Sequence, residues 1–274
     1  MKIYAIFLLA HLLADFLFQP DSLINLKESS HKKGKFWNKG IFWHSLIQYG
    51  TTLLLLAVYG ELWVDTLLAA SCVFICHYLI DRSKFQWKLN EFWKFILDQL
   101  AHYVIIYLVL WMFRLVIIPQ ALPAYLVAFG QKALPISLGS KILLGAILVI
   151  CLIWVSGQLI KVIMKTLQLR PFEENLSNAA TQMPQPSETI TPAPLGRKEP
   201  QTGLYIGWVE RTLIGIFMVM ANYTSLTLLA TLKTLARFKQ LENRANAEYF
   251  ILGTLLSILL GVSFGAMMNW IVRY

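Results

Sequence analysis

The sequence predicts an all-α fold, a polytopic transmembrane helical bundle with six to seven membrane helices. Hydrophobic residues make up 57% of the 274 positions and charged residues only 14%, which is too little charge to cover a soluble domain of this length. The mean hydropathy is +0.58. Long apolar runs recur, and most approach the ~20 residues that a helix needs to cross ~30 Å of hydrocarbon. The runs cover residues 3–18, 41–59, 63–80, 95–118, 142–163, 205–232 and 249–272.

The apolar runs and the segments between them divide the chain into four regions. Residues 1–118 are predicted to form a four-helix membrane core, and residues 119–169 a connection and a fifth membrane helix. Residues 170–203 are rich in Pro, Ser, Thr, Gln and Glu. Because such a stretch buries too little apolar surface to offset its ordering entropy, it is predicted to be a flexible linker. Residues 204–274 are predicted to form the C-terminal membrane helices.

The net charge of +9 comes from basic residues that lie between the apolar runs. The connection between the second and third runs carries only the acidic residues Glu61 and Asp65. This alternation is the positive-inside pattern, which places the N-terminus outside and the basic connections in the cytoplasm. A nucleic-acid partner is not expected, because no soluble basic module with interleaved aromatic residues is present. The basic residues of the first and third connections are Lys27, Lys32, Lys33, Lys35 and Lys39, then Arg82, Lys84, Lys88 and Lys94.

Four of the five histidines lie in the first four apolar runs, and three aspartates accompany them at helical spacing. Six of these residues form i,i+4 pairs, so each pair projects from one face of its helix. Successive helices alternate in direction, and the polar residues alternate between the end and the start of a run. All seven are therefore predicted to lie in one layer near the cytoplasmic side. They are the pairs His11/Asp15, His77/Asp81 and Asp98/His102, together with His44 at the start of the second helix.

The seven residues predict a metal site. An ionisable side chain that faces lipid costs several kcal/mol, so we expect these groups to turn inward and find partners. Histidines and carboxylates that project inward from neighbouring helices are a common way for a bundle to hold one or two metal ions. Imidazole nitrogen and carboxylate oxygen suit zinc, manganese or iron. A divalent transition-metal cofactor is predicted, with a proton or ion relay and structural polar packing as alternatives. His31 lies in the Lys-rich connection and is interpreted as solvated.

The C-terminal block contains a second polar feature and an unresolved topology. Gly207, Arg211 and Gly215 share a helix face, which would let a phosphate or another helix approach the guanidinium, or place Arg211 in a buried ion pair. The run 205–232 is longer than one crossing requires and has basic residues on both sides. Either residues 221–224 break it into a re-entrant hairpin, or residues 233–244 lie along the membrane interface.

Several sequence blocks resemble the bacterial membrane family catalogued as domain of unknown function 3307. They are HLLADFLFQ at residues 11–19, the pairs His77/Asp81 and Asp98/His102, and the blocks IGWVERTLI and RFKQLENRANAEYFILGTLLS. The resemblance covers the first four helices and most of residues 203–258. It implies a multi-pass protein of the bacterial inner (cytoplasmic) membrane. It implies no mechanism, since the family is uncharacterised, although the His/Asp layout is similar to that of small bacterial membrane proteins described as metal-dependent hydrolases.

These observations favour a metal-dependent membrane hydrolase that acts at the cytoplasmic face on a phosphoester or lipid-linked substrate. A bound metal lowers the pKa of its water to near neutral and so makes a nucleophile. Asp15 or Asp98 would serve as general base and Arg211 would hold the phosphate. The expected partners are membrane lipids and a lipid-linked or phosphorylated substrate. A transporter or proton/metal-ion relay is the first alternative, weakened because the polar residues are confined to one side. A non-enzymatic scaffold is the second, and it leaves the His/Asp set unexplained.

Overall fold

The computed structural model describes residues 2–32, 38–116, 137–168, 202–236, 238 and 244–273. Within these ranges the regular structure is helical throughout, which confirms the all-α fold. Residues 169–201, with most of the predicted linker, lie outside the described residues. The helices are α1 (Lys2–Leu12), α2 (Asp21–Lys32), α3 (Lys39–Val58), α4 (Val64–Lys84), α5 (Glu91–Met112), α6 (Leu138–Ile150), α7 (Ser156–Thr166), α8 (Thr202–Val219), α9 (Tyr223–Ala236) and α10 (Arg244–Arg273), with π-helical turns at Leu13–Leu17 and Cys151–Val155.

Five of the described helical segments are long and apolar enough to cross a membrane. A bent pair, Lys2–Leu17 and Asp21–Ser29, makes a sixth if the two parts count as one broken span. The described residues therefore support a membrane bundle of five to six spans; six equals the lower predicted number, and five is one fewer. The five segments are Lys39–Val58, Val64–Lys84, Glu91–Met112, Leu138–Thr166 and Ala247–Arg273.

The run 205–232 is not a single span, because it breaks where the sequence analysis placed a possible break. Helix α8 ends at Val219, and Ala221 adopts a left-handed backbone conformation with φ 54°. The Asn222 side chain then accepts a hydrogen bond from the Ser225 N–H at 3.1 Å, which caps the start of α9. Lys233 donates to Glu210, so α9 folds back along α8 as a helical hairpin.

The chain divides into two compact units, residues 1–155 with 270–274 and residues 156–269. In the second unit, α10 and α8 approach closely through small residues. A Cβ atom on Gly261 would lie 2.8 Å from Ile214, and one on Gly265 would lie 2.7 Å from Met218. Small residues at such a contact let two helix backbones pack closely without a hydrophobic driving force between them. Helix α10 has 30 residues and is about 45 Å long.

In the first unit, α3, α4 and α5 are joined by short connections and contain 20, 21 and 22 residues. Exposed tryptophans mark both ends of these helices. Trp43 and Trp93 lie near the starts of α3 and α5, and are 53% and 51% exposed. Trp63 and Trp111 lie at the opposite end, and are 58% and 49% exposed. Two such belts are typical of the two membrane–water interfaces.

Helix α2 turns away from the first helix by 86° and packs on α3. Its position is fixed where it crosses the start of α3. A Cβ atom on Gly40 would lie 2.4 Å from the backbone nitrogen of Lys27, so only glycine fits this contact. Asn38 is buried and links the two helices, since its amide donates to the Lys27 carbonyl at 2.9 Å and accepts from the Ile41 N–H at 3.1 Å. The backbone at Lys27 is therefore held against α3.

Candidate metal centre

The structure brings the seven predicted ligand residues together in the first unit. Helix α1 and the π-helical turn after it, α3, α4 and α5 each contribute to the cluster. Six of the residues are buried, with exposed fractions no higher than 6%, and the side chain of Asp15 is 10% exposed. The buried residues are His11, His44, His77, Asp81, Asp98 and His102. Below, these six and Asp15 are called the His/Asp cluster.

Asp15 faces histidines from three helices. Its Oδ1 lies 3.1 Å from His44 Nε2, 3.7 Å from His11 Nδ1 and 3.8 Å from His77 Nε2. The carboxylate belongs to the π-helical turn Leu13–Leu17, a wider turn of a kind often found at functional sites. Its second oxygen, Oδ2, accepts a hydrogen bond from the Gln99 amide at 3.2 Å. One oxygen of Asp15 is thus fixed in place while the other faces the imidazoles.

The remaining two carboxylates, on α4 and α5, also lie near histidines. Asp81 Oδ2 lies 3.7 Å from His44 Nε2, and Asp81 Oδ1 lies 3.8 Å from His102 Nε2. Asp98 Oδ1 lies 3.8 Å from His102 Nδ1. Asp81 on α4 therefore contacts histidines of both neighbouring helices, α3 and α5.

The cluster contains three overlapping triads whose ligand atoms lie within 4.8 Å of one another. Two of them share no residue, so the cluster holds enough donors for two ions. The third triad consists entirely of histidines and overlaps each of the others by one residue. The triads are Asp15/His44/His77, Asp81/Asp98/His102 and His11/His77/His102.

Hydrogen bonds to two of the histidines favour the tautomers that bind metals. His102 Nδ1 donates to the backbone carbonyl of Asp98 at 2.8 Å, which leaves a lone pair on Nε2. His11 Nε2 lies 3.4 Å from Gln99 Oε1 and donates to it, which leaves a lone pair on Nδ1, the atom that faces Asp15. Metal-binding histidines usually use the second ring nitrogen in this way, because that bond fixes the orientation of the ring.

Five buried ligand atoms of the cluster have no hydrogen-bond partner among the described residues. An unsatisfied buried polar atom costs roughly 1–3 kcal/mol, so a group of five needs an explanation. All five are nitrogen or oxygen atoms that can bind a transition metal, and the residues therefore fit such an ion. They are His11 Nδ1, His44 Nδ1, His77 Nε2, His102 Nε2 and Asp98 Oδ1.

Two lysines at the cluster were assigned only a topological role in the sequence analysis. Lys27 Nζ donates to Asp81 Oδ2 at 2.8 Å, and Lys84 Nζ donates to Asp98 Oδ2. Lys84 follows Asp81 by three residues on α4, which places the two on one helix face and was a usable signal. Gln99 was also not predicted to belong to the site. It is adjacent to Asp98 and forms hydrogen bonds with both His11 and Asp15, which orient these two side chains.

Arg211, the predicted phosphate-binding residue, lies on α8 in the second unit. It is buried, and its guanidinium packs against two glycines. A Cβ atom on Gly157 would lie 2.9 Å from Nη2, and one on Gly207 would lie 3.2 Å from Nη1. A phosphate-binding role for Arg211 stays a prediction. The side chain of His31 lies outside the described part of the chain.

Comparison with known families matches residues 3–128 to a family described as protein of unknown function (DUF3307). This confirms the resemblance for α1–α5, which carry the whole His/Asp cluster. The blocks within residues 203–258 lie outside the matched range. The family description names no reaction. No curated protein and no solved structure matches the chain.

Proposed function

We propose that the protein is a metal-dependent hydrolase of the bacterial inner membrane that acts at the cytoplasmic face on a phosphoester or lipid-linked substrate. The observation that supports the proposal is a set of five buried donor atoms that have no hydrogen-bond partner among the described residues, and their side chains come from four helices into one cluster. Zinc, manganese and iron take these imidazole and carboxylate donors. A closed zinc site uses four protein ligands. Seven donors are enough for one or two ions with a position left for water.

The roles of the residues follow from their contacts. The metal, when bound, supplies a water of lowered pKa as nucleophile. We assign Asp15 as a ligand, since its Oδ1 faces three histidines. We assign the general base to Asp98, because Lys84 holds its Oδ2 while its buried Oδ1 has no hydrogen-bond partner within the described part of the chain. Such a base contributes roughly 10²–10⁴-fold to the rate of a hydrolysis.

The proposed orientation rests on the charges at the two ends of the first unit. The end with the cluster carries Lys27 and Lys84, whereas the opposite end carries Glu61, which is paired with Lys2 at 2.8 Å. The positive-inside rule then places the cluster toward the cytoplasm. In a variant without native cysteines, Leu62→Cys should react with an impermeant thiol reagent added outside intact cells, and Gln86→Cys should not. Both positions are exposed. The reverse labelling pattern would contradict the cytoplasmic site.

The experiment that tests the proposal measures metal content and hydrolysis on the same detergent-purified protein. We expect at least one transition-metal ion per chain by plasma mass spectrometry. We also expect metal-dependent hydrolysis of 4-nitrophenyl phosphate or its bis-ester, lost on chelation and restored by zinc, manganese or iron(II). Metal-free protein from metal-replete cells would exclude the metal centre. A metal-loaded protein that hydrolyses neither ester nor any lipid phosphoester would leave a structural metal instead.

A second candidate function, a proton or metal-ion relay, is favoured by one observation on α3. Buried polar side chains continue from His44 through Gln48 to Thr52, about 12 Å along the helix. The Gln48 amide donates to Thr52 Oγ1 at 3.1 Å. Polar groups thus extend further from the cluster than the sequence analysis expected. Proteoliposomes that contain a pH-sensitive or metal-sensitive dye distinguish the two functions. Flux that Gln48→Leu abolishes would favour the relay, and impermeable vesicles with active enzyme would favour the hydrolase.

A further inference from the structure

We propose that Lys27 and Lys84 bind the phosphate group of the substrate beside the metal centre. The inference rests on the proposed hydrolase function and adds to it the binding site for the substrate's anionic group. Lys27 Nζ lies 2.8 Å from Asp81 Oδ2, and Lys84 Nζ is hydrogen-bonded to Asp98 Oδ2. The two aspartates form one triad with His102. Two ammonium groups therefore flank a single candidate metal position.

The charge of the cluster changes sign when a metal binds. Three carboxylates and two lysines give a net charge of −1 while the histidines are neutral. One divalent ion changes this to +1, and a second changes it to +3. A positive cluster inside a poorly hydrated bundle attracts an anion strongly, since Coulomb interactions are less screened there than in water. The metal-loaded protein therefore favours an anionic ligand.

The lysines are suited to receive that anion. A metal ion bound to Asp81 would withdraw electron density from the carboxylate oxygen that accepts a hydrogen bond from Lys27. Each ammonium group has three N–H donors, so it can bond a phosphate oxygen while it stays near its aspartate. Hydrogen bonds between an ammonium and a phosphate are charge-assisted and about twice as strong as neutral ones. A phosphate held in this way lies next to the metal and to its bound water.

Lys27 is placed more firmly than a surface lysine. The contact at Gly40 and the hydrogen bond from Asn38 hold its backbone against α3. Its side chain is only 12% exposed, whereas that of Lys84 is 38% exposed. Both lysines are partly buried, and Lys84 is the more exposed of the two. A phosphate entering from the surface would meet Lys84 first.

The surroundings of the bend between α1 and α2 favour a phosphate that is attached to a lipid. Four apolar side chains near the bend are exposed by 37–43% in the described structure: Leu17, Phe18, Ile24 and Leu26. Apolar side chains at the end of a membrane span lie at the boundary of the hydrocarbon, at the depth of lipid headgroups. A lipid phosphate at this depth is level with the lysine pair. Free phosphate from the cytoplasm offers the same chemistry, so the test includes both sources.

The test uses the full-length, metal-loaded protein in detergent, with inorganic phosphate as the probe in titration calorimetry. Wild-type protein should bind phosphate, and Lys27→Met and Lys84→Met should each weaken that binding at least tenfold. The control is Lys94→Met, which removes an equal charge from a lysine on α5 that pairs with Glu91 at 3.5 Å. Lys94→Met should bind phosphate like the wild type. Because Lys84 is nearer the surface, its variant keeps the test valid if Lys27→Met does not fold.

Metal content is measured on every sample, which separates this inference from the proposed function. If Lys27→Met and Lys84→Met keep the wild-type metal content and phosphate affinity, the lysine site is wrong and the proposed metal centre is unaffected. Wild-type protein without metal would overturn the proposed function itself. Nanodiscs that contain phosphatidic acid or only phosphatidylcholine identify the source of the phosphate. Competition by phosphatidic acid alone supports a lipid phosphate at the lysine pair, and phosphate binding that neither lipid affects supports a soluble one.

Discussion

His77→Ala should remove most of the bound metal and abolish most of the stabilisation that metal gives the protein. His77 belongs to two of the three triads, and its Nε2 is buried without a hydrogen-bond partner among the described residues. A ligand present at a hundred times its Kd stabilises a folded protein by about 2.7 kcal/mol. For a protein of this size, this corresponds to a rise in Tm of roughly 5–10 °C. We therefore expect zinc or manganese to raise the wild-type Tm by this amount and to change the variant little.

Comparing the Tm with and without metal separates the effect of losing the ion from the effect of truncating the side chain. Truncation of a buried imidazole leaves a cavity, so His77→Ala also lowers the Tm of the metal-free protein. Only the difference between metal-loaded and metal-free samples reports on the ion. His31→Ala is the control, since the sequence places this fifth histidine in the Lys-rich connection. An equal metal-induced shift in wild type and His77→Ala would show that His77 is not a ligand.

Asp98→Asn should leave the metal in place and reduce hydrolysis by about 10²–10⁴-fold, the usual contribution of a general base. The amide keeps the shape of the side chain but cannot accept a proton from water. The metal content should stay near that of the wild type, because Asp15, Asp81 and the histidines provide the other donors. A purely structural role for Asp98 would lower Tm and activity together, so both are measured.

The matched control for Asp98→Asn is Asp65→Asn, which makes the same change at an exposed position in the first turn of α4. It should change neither metal content nor rate. Loss of metal from Asp98→Asn would instead identify Asp98 as a ligand and leave Asp15 as the candidate base. Full activity in Asp98→Asn would exclude it from the reaction.

The sequence was sufficient to predict most of the long apolar helices and the residues of the cluster, for physical reasons that are easy to state. The run 41–59 corresponds to α3 at Lys39–Val58, because a span of apolar side chains sets the helix length. The seven histidines and aspartates stand out because each is costly in a lipid-facing helix. Their metal-binding role stays a prediction. Their partners on neighbouring helices required the structure, as the contacts of Asp81 with His44 and His102 show.

Other features were not predictable, because the same residue types have more than one use. Lysines at the ends of apolar runs satisfy the positive-inside rule whether or not they contact a buried carboxylate, so Lys27 had no distinctive signal and Lys84 had only its three-residue spacing from Asp81. The π-helical turn at Leu13–Leu17 differs from an α-helix only in the path of its backbone hydrogen bonds. Its five residues are ordinary helix-compatible ones. The bend that follows, and therefore the position of α2, was equally hidden.

The helices of the protein differ in how well they match the thickness of a bilayer. At 1.5 Å per residue, α3, α4 and α5 are about 30–33 Å long, close to the ~30 Å of hydrocarbon. The span Ala247–Arg273 has 27 residues and is about 40 Å long. Such a helix adapts to a thin bilayer by tilting or by local thickening of the lipid, and Arg273 at its end can extend toward the headgroups. Hydrophobic mismatch therefore acts first on the two longest spans, Leu138–Thr166 and Ala247–Arg273, whereas the lengths of α3, α4 and α5 match an average bilayer.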